Sequence, residues 1–231
     1  MALKQLKFLI LLLSFPFILY AQTEGPNAWL TIDVNKELKK WYFAGEMELR
    51  SIGFFDKNQR LSLQAEGSYK ICKVIEAGLS YSIMSFYDSK YNDYQWRNRY
   101  AFVLLGKRKI NRFALSLREK GELTTKDESD RIKDNEEIDT YAINPELVWR
   151  NRLKAAYDIP NLPLAPSISI ETFYILNDPE RNEFEKIRYT FSLSYKLNKH
   201  NSLEIFSIYN KELIEGEESS YVIGAGYKLT L

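Results

Sequence analysis

The sequence predicts an all-β chain, an antiparallel up-and-down β-barrel that spans a membrane, and three observations predict it. Residues 60–71 alternate without a break. Leu61, Leu63, Ala65, Gly67, Tyr69 and Ile71 fall on one face, and Arg60, Ser62, Gln64, Glu66, Ser68 and Lys70 on the other. Such a run exceeds the roughly 5–6 residues of an ordinary globular strand and suits the roughly 9–11 that cross a bilayer at a tilt. Second, Trp96-Arg97-Asn98-Arg99-Tyr100 is nearly repeated as Trp149-Arg150-Asn151-Arg152-Leu153, with a weaker copy at Lys186-Ile187-Arg188-Tyr189. Each puts guanidinium groups on one face and aromatic or aliphatic groups on the other, as when an apolar face meets lipid and a polar face lines a lumen. Third, the connections alternate in length: short periplasmic turns at one end and longer extracellular loops at the other.

Residues 1–21 read as a cleaved export signal. Lys4 and Lys7 form the positive start, residues 8–20 an apolar run, and Tyr20-Ala21 a small-residue cleavage point. Residues 22–231 then form a single barrel domain. Removing residues 1–21 takes away Lys4 and Lys7 and no acid, which leaves 30 basic residues against 31 acidic ones. That balance gives no reason to expect nucleic acid as a partner. Cys72 is the one cysteine, so no disulfide framework forms within the chain. The 16 Tyr and 13 Phe favour strands over helices.

Taken in order, Leu30, Ile32 and Val34 open a short first segment, and Trp41, Phe43, Met47 and Leu49 oppose Glu46, Glu48 and Arg50. After residues 60–71, Ile75, Ala77, Leu79, Tyr81 and Ile83 oppose Glu76, Ser80 and Ser82. The first Trp-Arg-Asn-Arg strand follows, then Phe113, Leu115 and Leu117 opposite Arg112, Ser116, Arg118 and Lys120. The second copy carries Glu146 on its polar face. Strands over about residues 166–176, 185–197, 203–211 and 221–231 complete the chain. Single-chain bacterial barrels close with an even number of strands, so about ten are expected if residues 30–35 are not a full wall strand, and twelve if one is missed. The charged stretch at residues 124–139 has no apolar period and is expected to be an exposed, mobile surface loop.

The spacing of the two Trp-Arg-Asn-Arg strands, the later strand with Glu171, and Lys186-Ile187-Arg188-Tyr189 resembles the uncharacterised family known as domain of unknown function 2490. Its members are secreted proteins of Bacteroidota-type bacteria thought to form outer-membrane barrels. The resemblance implies location in the outer membrane and no catalytic residue.

The constellation with chemical content is the inward charge. Arg97, Arg99, Arg112, Arg118, Arg150, Arg152 and Arg188 share a face with Glu46, Glu48, Glu66, Glu76, Glu146, Glu171 and Glu204. Their matching numbers suggest mutual neutralisation that fills a narrow lumen; an anion-guiding ladder is the alternative. Enzymatic readings have little support. His200, the one histidine, lies in a turn beside Ser202, and one histidine with one cysteine makes a poor metal set. No cofactor is expected. The implied partners are outer-membrane lipid and, during insertion, the barrel-assembly machinery. The leading reading is a small outer-membrane barrel with a structural, transport or surface-interaction role. The alternatives are a barrel-embedded lipid-modifying enzyme and a soluble periplasmic barrel with an apolar ligand inside.

Overall fold

In the computed structural model the described residues are 26–133 and 137–231, so the expected export signal lies outside them. Period-two alternation dominates the sequence, and strands dominate the fold. They are β1 (Asn27–Leu38), β2 (Trp41–Ile52), β3 (Lys57–Lys70), β4 (Ile75–Asp88), β5 (Asp93–Ile110) and β6 (Phe113–Lys126). After the longest connection come β7 (Glu146–Tyr157), β8 (Leu164–Ile175), β9 (Phe184–Lys196), β10 (Asn201–Glu212) and β11 (Ser220–Thr230). Neighbours in sequence pair antiparallel, and β1 closes the barrel against β11. Residues 30–35 belong to a full wall strand of 12 residues, which makes eleven strands among the described residues.

An odd count dictates the closing pair. Successive strands reverse direction, so the first and eleventh run the same way, and β1 pairs parallel with β11 from Asn27 opposite Val222 to Asn35 opposite Thr230. β1 therefore starts at the long-loop rim and β11 ends at the short-turn rim. The turn at residues 39–40 starts with Lys39 at φ 56°, and the turn at 111–112 with Asn111 at φ 54°. Asn tolerates this left-handed region, which a two-residue hairpin requires.

The two faces of the wall differ throughout. Outward side chains include Leu63 at 52% exposure, Leu79 at 67%, and Trp96, Phe102, Leu153 and Ile168, all exposed. A carboxylate interrupts this apolar surface at the middle of β6, where the Trp149 indole N–H donates to Glu119 Oε2 at 2.9 Å. Inward positions hold Ser, Thr, Gln and charged groups, and Glu48, Glu76, Lys120, Glu122 and Glu171 are buried. The expectation of apolar groups outside and arginines inside holds. The apolar interior that the alternative of a soluble ligand-binding barrel requires is not what the wall encloses, because the enclosed surface is mostly polar and charged.

Aromatic side chains thicken one wall from within. Trp29, Ile208 and Val222 pack together with Phe206 against them at the β10–β11–β1 seam. Gly224 makes room: a Cβ there would run into the Phe206 ring and come within 2.8 Å of the Trp29 carbonyl oxygen.

Candidate functional site: a charge-divided lumen

The lumen contains a cavity of about 280 Å³ lined by side chains from most of the wall. Register decides which charges meet there. Across β6, β7, β8 and β9, Arg118 lies opposite Arg152, Arg152 opposite Glu171, and Glu171 opposite Arg188. One step toward the long-loop rim, Lys120 lies opposite Arg150. Two carboxylates hold this basic wall together. Glu122 receives Arg150 Nη1 at 2.8 Å and Lys120 Nζ at 2.8 Å, with Arg99 Nη1 at 3.6 Å. Glu171 receives Arg150 Nη2 at 2.9 Å and also pairs with Arg118.

A separate cluster forms on β2 and β3, where Glu48 pairs with Arg50 at 2.8 Å and with Arg60. The Arg50 guanidinium stacks over the Trp29 ring at 3.5 Å. Arg188 approaches Trp29 at 5.1 Å and Phe173 at 4.9 Å, and donates from Nε to Asn210 Oδ1 at 2.8 Å. The opposite side of the lumen is mixed in charge, with Lys228 on β11 directly opposite Asp33. Asp33 and Glu46 are cross-strand partners on β1 and β2, and Glu204 lies nearby on β10, across Gly226 from Thr31. Ser194 donates to Glu204 Oε1 at 3.5 Å.

Of the charges expected to share the lumen, most line this cavity: Arg99, Arg118, Arg150, Arg152, Arg188, Glu46, Glu48, Glu171 and Glu204. The others separate. Arg112 does not face the lumen; it occupies the exposed second position of the β5–β6 turn, because the hairpin uses residues 111–112 before β6 begins at Phe113. Glu76 joins Lys107 at 2.8 Å, and Glu146 joins Lys126 at 2.9 Å. Arg97 stacks on Phe86 at 3.8 Å and makes no ion pair among the described residues. Glu66, on β3 opposite Ser80, also makes none. Sequence reasoning left out Arg50, Arg60, Lys120, Glu122, Lys154 and Asp33. Each has inward parity, and counting every inward charge of each alternating run, instead of arginine and glutamate near the repeats, would have found them.

At the long-loop rim the charged stretch is mostly exposed, as expected, but it has a buried anchor. Residues 124–126 belong to β6, and the connection at 127–145 is tied down through Arg131, which is buried. Arg131 Nε donates to Asp88 Oδ2 at 3.0 Å and Nη1 to the Asp139 carbonyl at 2.8 Å, while its guanidinium lies 3.8 Å from the Tyr141 ring centroid. Asp139 also accepts from Lys90 Nζ at 2.7 Å and Tyr91 Oη at 2.8 Å. These two hydrogen bonds hold its carboxyl down at about 2. The Tyr141 hydroxyl reaches Asp88 at 3.2 Å, and its ring lies 5.4 Å from inward-facing Arg97. This connection is a folded clasp between the β4–β5 and β6–β7 loops; residues 134–136 lie outside the described set.

His200 is exposed in the β9–β10 turn with Nδ1 2.8 Å from the Thr230 carbonyl oxygen. Among the described residues no group of three or more His, Cys, Asp or Glu side chains is arranged to hold a metal.

No curated protein matches the chain. Solved structures similar to it include a NanC porin in a rhombohedral crystal form, with TM-score 0.49 and 13% identity over 86% of this chain and 91% of that one. The KdgM porin in complex with disordered oligogalacturonate gives TM-score 0.47 and 12% identity over 86% and 88%. The family model described as a protein of unknown function, DUF2490, matches residues 26–218, and this chain belongs to that family.

Proposed function

We propose that this protein is an integral outer-membrane barrel with a narrow, charge-divided lumen that restricts passage to small polar solutes. The observation that carries the reading is the sorting of the two faces. Large apolar side chains cover the outside of the closed wall, and charged and polar side chains line the cavity inside. Outside, lipid would solvate that surface, and a closed barrel leaves no strand edge unpaired within the bilayer. Inside, nine cations (Arg50, Arg60, Arg99, Arg118, Lys120, Arg150, Arg152, Lys154 and Arg188) line the cavity against five acids (Asp33, Glu46, Glu48, Glu171 and Glu204), so a solute there meets a net positive field. The Glu122–Arg150–Glu171–Arg118 network occupies space that an ion would need, which supports a constriction over a wide pore.

Two measurements test this. The protein should sediment with the outer membrane and migrate differently on a gel when left unheated; recovery in the soluble fraction would overturn the membrane reading. In a planar bilayer the purified protein should show little or no steady conductance, and any current should favour anions. A large, unselective conductance would overturn the constriction.

A further inference from the structure

The basic wall has more cations than its two carboxylates can hold. Arg118, Arg150, Arg152 and Arg188 converge on Glu171, yet only Arg118 and Arg150 pair with it. Arg152 stands directly opposite Glu171 in the register and makes no ion pair among the described residues. Its Nε is buried without a hydrogen-bond partner, as is that of Arg118, its cross-strand neighbour. Lys154, the next inward residue on β7, makes no ion pair either, and Arg188 is held by Asn210 and two aromatic rings instead of an acid.

Like charges directly opposite one another on neighbouring strands repel, and partly desolvated guanidinium groups repel more strongly than exposed ones. The arrangement is favourable when a further anion lies between them. Guanidinium forks suit that task, because they match the oxygens of a carboxylate or phosphate two at a time. The cavity they face is about 280 Å³. That is ample room for a small oxyanion.

We propose that Arg152, Arg188 and Lys154 form a binding site in the lumen for a small oxyanion bearing a carboxylate or phosphate. This rests on the reading of the lumen as a narrow path for small polar solutes and names the solute class it would hold. Inorganic phosphate and acetate are the probes, each compared with chloride at equal ionic strength, on the full barrel in detergent. Either oxyanion should raise the unfolding temperature in a saturable way. Arg152→Met should weaken that response about tenfold or more, the loss expected for one charge-assisted hydrogen-bonded contact. Without an oxyanion, the same variant should be as stable as the parent or more so, since it relieves repulsion; a residue that merely supports the fold would lose stability. Arg108→Met, at an outward position near the β5–β6 turn, should respond like the parent. If Arg152→Met does not fold, Arg152→Lys preserves the charge and should retain only part of the response, and broadening of the phosphorus resonance of phosphate by the unmodified protein gives a second readout. Equal stabilisation by chloride, or an undiminished response in Arg152→Met, would overturn the site. Oxyanion binding by a barrel that fractionates as soluble would instead overturn the membrane reading and leave the site standing.

Discussion

The two faces of β6 make the most instructive comparison in the molecule. Outward, Phe113, Leu115 and Leu117 are exposed, with Glu119 the exception tethered to Trp149. Inward, Arg118, Lys120 and Glu122 each meet a partner from another strand or two residues along their own. An outward residue needs only to be apolar, and neighbouring apolar residues are interchangeable to within packing. An inward residue needs a particular counterpart at a particular height, so its contribution depends on groups far away in sequence. The outer face is therefore additive, and the inner face is a network.

The largest effect expected lies in that network. Glu171→Ala removes the one carboxylate shared by Arg118 and Arg150, and the cost should be roughly 3–5 kcal/mol, because uncompensated charge stays behind in a confined lumen. Adding Arg118→Met should recover part of it, and the shortfall from additivity in urea unfolding measures the coupling. Additive losses would show that the inner face behaves like the outer one. Arg150→Ala should cost less than Glu171→Ala, because Glu122 keeps Lys120 and Glu171 keeps Arg118.

Next in size is the outer face. Leu63→Arg near the middle of β3 should cost roughly 2–4 kcal/mol in a bilayer and far less in a soluble setting, where an exposed arginine is harmless. Folding into vesicles, followed by denaturant unfolding, measures it. A negligible loss would remove the contrast between the faces.

The smallest effect belongs to the loop clasp. Asp139 is held below its ordinary 3.8, at about 2, so its contribution is complete above about pH 4 and disappears as the pH falls through 2. Arg131→Ala should loosen the connection at any pH, leaving barrel stability within about 1 kcal/mol while protease cuts within residues 127–145. Cleavage as slow as in the parent protein would mean that the clasp does not hold the loop.

The direction of almost every wall side chain was legible in the sequence, because a period of two assigns faces without knowledge of neighbours. Partner choice was not. It depends on stagger between strands, and stagger depends on the number of residues each turn consumes. Arg112 shows this directly: parity placed it inside, but the two-residue hairpin takes it out of the wall. Glu146 shows the same effect at longer range, since register sets it opposite Thr124, within reach of Lys126, while Arg150 stands opposite Lys120. The clasp was illegible for a different reason. Its contacts link Arg131 to Asp88 and Asp139, a geometry that leaves no periodic trace, and charge alone reads as solvation. Strand number failed to follow the parity rule because that rule assumes an antiparallel closure, which the β1–β11 pair does not provide.

The parallel seam has a consequence for protein engineering. In a barrel that closes antiparallel, the first and last strand ends lie on the same rim, and a few linker residues can join them into a circle. Here Asn27 and Thr230 lie on opposite rims, separated by a strand's length, which for the 11 residues of β11 at about 3.3 Å each is about 36 Å along its path. Circular permutants with a short linker should not close. Reporter groups fused beside Asn27 and after Leu231 should face opposite sides of whatever layer the wall spans, so a single molecule labelled at both would serve as its own gauge of orientation.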